Sequence, residues 1–166
     1  MSQHHGEIYR YLLRATGRGS DADDLSQETF LRAFRAHRGL PPDANARAWL
    51  FTIATNVARN HYRARKRRQL AYAAASATLS DVDGGRPDGA ALSRETGALV
   101  ESIVARLPLK QRLAFIERKI HVLEYPDIGA SLECSAESAR AHVFQALRKI
   151  RSGLDEREGP RKESRP

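Results

Sequence analysis

Apolar residues recur along this chain at three- and four-residue spacing, and strand-like alternation is weak throughout, so the pattern predicts an all-α fold. Glu7 to Ala15 (EIYRYLLRA) reads as a short helix stopped by Gly17 and Gly19. Ser20 is placed to cap the next helix, with Asp23 and Asp24 in a first turn where the helix dipole favours negative charge. That helix is expected to reach about His37, turning Ala22, Leu25, Thr29, Ala33 and Phe34 inward. Its outer face carries Asp24, Glu28, Leu31 and Arg35 with Gln27 beside them, and a leucine among such neighbours asks for a reason. Gly39, Pro41 and Pro42 make the segment from Arg38 to Ala46 a loop.

The next segment, Arg47 to Arg68 (RAWLFTIATNVARNHYRARKRR), is the most informative. Wound as a helix it sets Leu50, Ile53, Ala54 and Val57 on one side and Thr52, Asn56, Arg59 and Arg63 on the other. Hydroxyl and amide groups can meet base edges while guanidinium forks meet phosphates, so this front suits nucleic acid. A merely solvated face fits the same stretch equally well. Trp49, at the edge of the apolar back, is expected to pack rather than to stack a base.

From Leu70 to Gly97 alanine, serine, glycine and aspartate dominate, the sign turns acidic around Asp81, Asp83 and Asp88, and large apolar residues nearly vanish. Such a stretch offers too little apolar area to offset its ordering entropy and reads as a flexible linker. Helical spacing returns at Ala98: LVESIVARL, a break at Pro108, then LKQRLAFIERKIHVL as the following helix. A short helix from about Pro126 to Leu132, a turn at Glu133 and Cys134, and a last helix capped by Ser135 and running to about Ser152 give the outline of a helix-turn-helix. Ala139, Val143, Ala146, Leu147 and Ile150 are expected to pack inward. Glu137, Ser138, Ala141, His142, Gln145 and Arg148 face out with Arg140 on the flank, a small and polar front suited to a major groove. Gly129 inside the short helix costs about 1 kcal/mol relative to alanine. The tail DEREGPRKESRP reads as disordered.

The 166 residues therefore divide into 1–69, a linker 70–97, 98–152 and a tail 153–166. A formal net charge of +8 and an isoelectric point near 10.1 favour a polyanionic partner. No apolar run is long enough to span a bilayer and the N-terminus lacks the layout of a secretory signal, so the expected location is the cytoplasm, without membrane insertion. The single cysteine, Cys134, permits no internal disulfide and reads as a buried small hydrophobe at the turn. Asp23, Asp24 and Glu28 lack a histidine or a second carboxylate cluster at ligand spacing, and Cys134 and His142 are too isolated for zinc; neither metal nor cofactor is expected, and no nucleophile set suggests an enzyme.

The order of these segments resembles the extracytoplasmic-function (ECF) sigma factors of bacterial RNA polymerase, members of the sigma-70 family. The resemblance rests on Asp23, Asp24, Leu25, Gln27, Glu28 and Phe30, on Arg47 to Leu50 with Ile53, Ala54 and Asn56, and in the second half on Leu107, Pro108, Gln111, Arg112, Arg118, Ile128, Leu132, Cys134 and Ser135. It departs from the family at Glu133, where the turn commonly has glycine, at Gly129 and Ala139, and at Glu124, where a serine or threonine cap is common.

The resemblance implies that Asp24, Gln27, Glu28, Leu31 and Arg35 dock on the clamp coiled coil of the polymerase's largest subunit, which would account for Leu31. It implies that the loop from Arg38 to Ala46 captures a base flipped from the −10 element, beside Thr52, Asn56 and Arg59, with Arg63, Arg65, Lys66, Arg67 and Arg68 on phosphates. The second half is then expected to read the −35 duplex through Glu137, Ser138, Arg140, Ala141, His142, Gln145 and Arg148. The linker would thread the polymerase cleft, and an anti-sigma factor is an expected partner. The other reading of the same segments is a free-standing helix-turn-helix regulator whose first half serves dimerisation or ligand sensing.

Overall fold

A computed structural model describes residues 2–75 and 93–158, and every regular element among them is helical. The acidic stretch around Asp81, Asp83 and Asp88, and the last eight residues of the tail, lie outside the described residues. The first half consists of α1 (His5–Thr16), α2 (Gly19–Ala36) and α3 (Ala46–Ala75). The second consists of α4 (Ser93–Arg106), α5 (Leu109–Phe115, continued by a π-helical turn Ile116–Ile120), α6 (Tyr125–Leu132) and α7 (Ala136–Glu158).

In the first half α1, α2 and α3 pack on one another around Ile8, Tyr11, Leu12, Ala15, Ala22, Ala33, Leu50, Phe51 and Ala54. Gly17 takes the left-handed conformation (φ 71°) and closes α1 by donating its N–H to the Leu13 carbonyl at 2.8 Å. In the second half α4, α5 and α6 lean on α7, burying Leu113, Ile116, Ile128, Leu132, Ala139, Val143 and Ala146. The halves also meet each other, chiefly where α6 lies against α3.

Several local expectations change. Ser20 caps nothing, because α2 begins one residue before it and the extended residue ahead of the helix is Arg18. Phe34 is 66% exposed and Leu147 39% exposed, so neither packs inward; each sits at the edge of its helix's apolar stripe, beyond the reach of the facing helix. The expected single helix from Leu109 to Leu123 passes into a π turn at Ile116, and Val122 then adopts φ 56°, a left-handed conformation that β-branched residues rarely enter. Helix α3 runs past residue 69 to Ala75, α4 starts at Ser93, and α7 runs past residue 152 to Glu158. Cys134 is a free, half-buried thiol packed at the edge of the core.

Candidate nucleic-acid interface

Helix α3 starts where Asn45 folds its side-chain oxygen back to accept the Ala48 N–H at 3.1 Å, a cap the spacing of apolar residues does not reveal. As expected, Leu50, Ala54 and Val57 are buried and Ile53 is partly buried against the core. Trp49 packs at the core's margin. On the polar front, Thr52 and Asn56 are half-exposed, while Arg63, Lys66, Arg67 and Arg68 are exposed and Arg65 partly so. Thr52 turns its hydroxyl back to the Ala48 carbonyl at 3.1 Å. Asn60, Arg63, Lys66, Arg67 and Leu70 line an open groove of about 500 Å³ that has three cationic side chains at its wall.

Arg59 departs from this pattern. It is 5% exposed, its guanidinium donating to Asn56 Oδ1 at 3.3 Å and to Glu133 Oε2 at 3.1 Å. The reason is tertiary: the helix-turn-helix of the second half lies over this part of α3, and Glu133 comes from its turn. Arg59 in turn holds the Glu133 carboxyl below its usual range.

On α2, Asp24, Gln27, Leu31 and Arg35 are exposed and Glu28 is half-exposed, so all five share an accessible face. Glu28 also accepts from Arg32 Nε at 2.6 Å. Leu31 is 44% exposed with Phe34 three residues on, which makes this face more apolar than the sequence suggested.

In the helix-turn-helix, Ser135 caps α7 as expected, its Oγ accepting the Ser138 N–H at 3.1 Å. Glu137, Ser138, Arg140, Ala141, Gln145 and Arg148 are exposed and His142 half-exposed, while Gln145 accepts from Gln111 Nε2 of α5 at 2.7 Å and burial lowers the His142 pKa. Arg140 and Arg118 both place their guanidinium groups over the Tyr125 ring, at 5.1 and 4.8 Å from its centre, and the Arg140 contact ties α6 to α7. Gly129 explains itself in this setting. A Cβ there would stand 2.8 Å from the Cys134 carbonyl oxygen, so the turn can close on α6 only over a residue without a side chain. Glu133 occupies the left-handed position (φ 54°) that a glycine would fill without strain.

Sequence reasoning missed the polar groups between the halves. Glu117 is fully buried and accepts from Thr55 Oγ1 at 2.7 Å and Tyr11 Oη at 3.0 Å, while Ser131 Oγ lies 2.7 Å from its other oxygen. Burial pushes this carboxyl up to about 7, against the pull of its three hydroxyl partners. Burial, with Glu117 alongside, also drives the Tyr11 phenol well above its usual value. At one end of this seam Arg47 joins Glu7 to the His121 carbonyl, and His121 Nδ1 lies 3.3 Å from Glu7. Burial lowers the His121 pKa and Arg47 lowers that of Glu7. At the other end Arg112 reaches the Ala15 carbonyl at 3.1 Å and the Tyr62 hydroxyl at 2.9 Å. A glutamate inside the apolar run LAFIE was the one visible hint of this seam.

No helix among the described residues is long and apolar enough to cross a membrane. The family description "Sigma-70 region 2" matches residues 1–68 and "Sigma-70, region 4" matches residues 98–150. The chain is 29% identical over 157 residues to the RNA polymerase sigma-H factor of Pseudomonas aeruginosa, covering 89% of this chain and 80% of that one. Its fold is similar to that of the sigma factor RpoE of Bartonella quintana, solved in complex with the anti-sigma factor NepR (TM-score 0.67, 20% identity, 90% of this chain and 91% of the other). It is also similar to CnrH, solved with the cytosolic domain of CnrY (TM-score 0.64, 26% identity, 93% and 84%). With both domain descriptions in order on one chain and the α3 and helix-turn-helix faces built as described, the chain belongs to the sigma-70 family, as an ECF RNA polymerase sigma factor.

Proposed function

We propose that this chain is a cytoplasmic promoter-specificity subunit without chemistry of its own, which binds core RNA polymerase, recognises −10 and −35 elements and assists melting of the duplex. Residues 1–69 form the polymerase- and −10-binding domain, 98–152 the −35-binding domain, 70–97 the acidic connection between them, and 153–166 a tail.

The observation that carries this reading is that one chain presents two separate DNA-suited faces with an accessible apolar and acidic face beside them. A cationic front on α3 fits a single strand; the small polar front of α7 fits a major groove. Asp24, Gln27, Glu28, Leu31 and Arg35 then serve the clamp coiled coil of the polymerase. Thr52, Asn56 and Arg59 sit at the melted −10 element, with Arg63, Arg65, Lys66, Arg67 and Arg68 on phosphates. Glu137, Ser138, Arg140, Ala141, His142, Gln145 and Arg148 face the −35 element. An anti-sigma factor is a partner consistent with this reading, since RpoE was solved with one, NepR.

Run-off transcription with purified core polymerase on a fragmented genomic library tests the proposal. Start sites preceded by a shared pair of elements are expected only when the chain is added. Tight binding of an operator by the chain alone, with no effect on core, would establish a free-standing regulator instead.

A further inference from the structure

The contact between the halves carries buried hydrogen-bonded polar groups within a continuous apolar core, with the His121 ring set against Tyr11 and Phe51. Glu117, from the π turn after α5, is answered by Tyr11 of α1 and Thr55 of α3 from the other half, and by Ser131 of α6 from its own. All four side chains are buried. Buried polar groups at a seam are tolerated when satisfied, and each then specifies one mode of docking.

The hydroxyl protons can be counted. Ser131 has one proton and two acceptors within reach, Glu117 Oε2 at 2.7 Å and the Ile128 carbonyl at 2.9 Å. With a proton on Glu117 Oε2, the carboxyl donates to Ser131, Ser131 donates to Ile128, and Thr55 donates to Oε1. Tyr11, 2.8 Å from Thr55 and 3.0 Å from Oε1, donates to either. Every hydroxyl proton is then used once.

The second joint is Arg59 with Glu133. The Arg59 side chain is 6% exposed and the Glu133 side chain 63%, so the turn of the helix-turn-helix acts as a lid on the arginine. In this arrangement Arg59 cannot meet a DNA strand.

We propose that Glu117 and Glu133 form a two-point latch that keeps the halves of the free chain closed and Arg59 masked, so that engagement of a melted strand requires the halves to separate. The masking rests on the reading of α3 as the −10 surface; the latch does not.

The latch responds to protons. The closed state holds the Glu117 proton more tightly than an opened, hydrated carboxyl does. Its contribution to closure is therefore full below about 4.5 and is lost as pH rises to about 7. The groups facing Glu117 are Tyr11 on α1, Thr55 on α3, and Ser131 and Asp127 on α6; Arg59 on α3 acts on Tyr11, whose ring lies 5.7 Å from that of His121. His121 and Glu7 act in the opposite direction. The closed state favours neutral His121 and ionised Glu7, so their contributions fade as pH falls below their usual ranges.

The full chain with donor and acceptor dyes on Asp23→Cys and Arg151→Cys, in a Cys134→Ser background, reads closure by energy transfer. Affinity for a random-sequence single-stranded DNA 12-mer at fixed ionic strength reads masking. Glu133→Ala and Thr55→Val, alone and together, are expected to lower transfer and raise strand affinity at least threefold, with helicity by circular dichroism unchanged. Glu117→Gln, which cannot ionise, is expected to stay closed from pH 6 to pH 8 while the parent chain opens over that range. Unchanged transfer in the double variant, or identical pH profiles for Glu117→Gln and the parent, would overturn the latch. Opening without a gain in strand affinity would overturn the masking and with it the −10 reading of α3, leaving the latch in place.

Discussion

The guanidinium of Arg47 holds the carboxylate of Glu7 through paired hydrogen bonds across 40 positions of sequence, and the same guanidinium reaches the carbonyl of His121 in the other half. One arginine thus ties the start of α1, the start of α3 and the loop before α6.

Arg47→Met is expected to destabilise the chain by about 1.5–3 kcal/mol, the range for hydrogen bonds to charged groups, and its partial exposure places it toward the low end. Arg47 depresses the Glu7 pKa, so the stabilisation is present above about 4.5 and is lost as pH falls through the depressed value. Urea midpoints at neutral pH and near pH 3 check this. The deficit of the variant should shrink in acid; an equal deficit at both would assign it to the Arg47–Phe51 stacking contact instead.

Glu117→Gln should show the reverse profile. The parent loses stability as pH rises from about 4.5 to about 7, which over that span amounts to on the order of 3 kcal/mol, whereas the amide variant does not. Thermal melts near pH 5 and pH 8 should therefore favour the variant increasingly toward the alkaline side.

At Gly129 helix propensity and packing disagree. Alanine should gain about 1 kcal/mol from propensity, yet its methyl would meet the Cys134 carbonyl oxygen at 2.8 Å, and backbone cannot step aside cheaply. A net loss of about 1–3 kcal/mol is expected in chemical denaturation. A stabilised variant would mean the turn can move outward freely.

Val122 offers the opposite case. Its side chain is 67% exposed and its backbone is left-handed at φ 56°. Val122→Gly should relieve strain and raise stability by about 1 kcal/mol, net of the greater entropy of glycine in the unfolded chain. The same denaturation series reads the result.

Leu31→Asp should weaken binding to core polymerase at least tenfold while leaving the melting temperature unchanged, because Leu31 is 44% exposed and makes no core contact. Surface-immobilised core measures the affinity; an unaltered value would remove α2 from the interface.

Periodicity located what depends on neighbours along the chain. It put Leu50, Ala54 and Val57 inside, turned the α7 front outward, and placed Ser135 at a helix start, because each follows from 3.6-residue winding or a local hydrogen bond. It failed for Phe34 and Leu147, whose burial depends on how wide a surface the facing helix offers. It could not foresee Arg59 on Glu133 or Glu117 on Tyr11, which join residues 74 and 106 positions apart. Read alone, Glu133 was a departure in the turn; the tertiary structure makes it the partner of a buried arginine.

Helix α3 contains neither proline nor glycine over its 30 residues, so it spans about 45 Å without a site at which to bend. Arg47 and Thr55 lie in its first half, where they grip the opposite domain, and the basic cluster lies further along toward its C-terminal end. A load applied at that cluster, such as the strand the proposed function places there, would therefore act through a rod, and its torque would be delivered to the seam rather than absorbed by a hinge along the way.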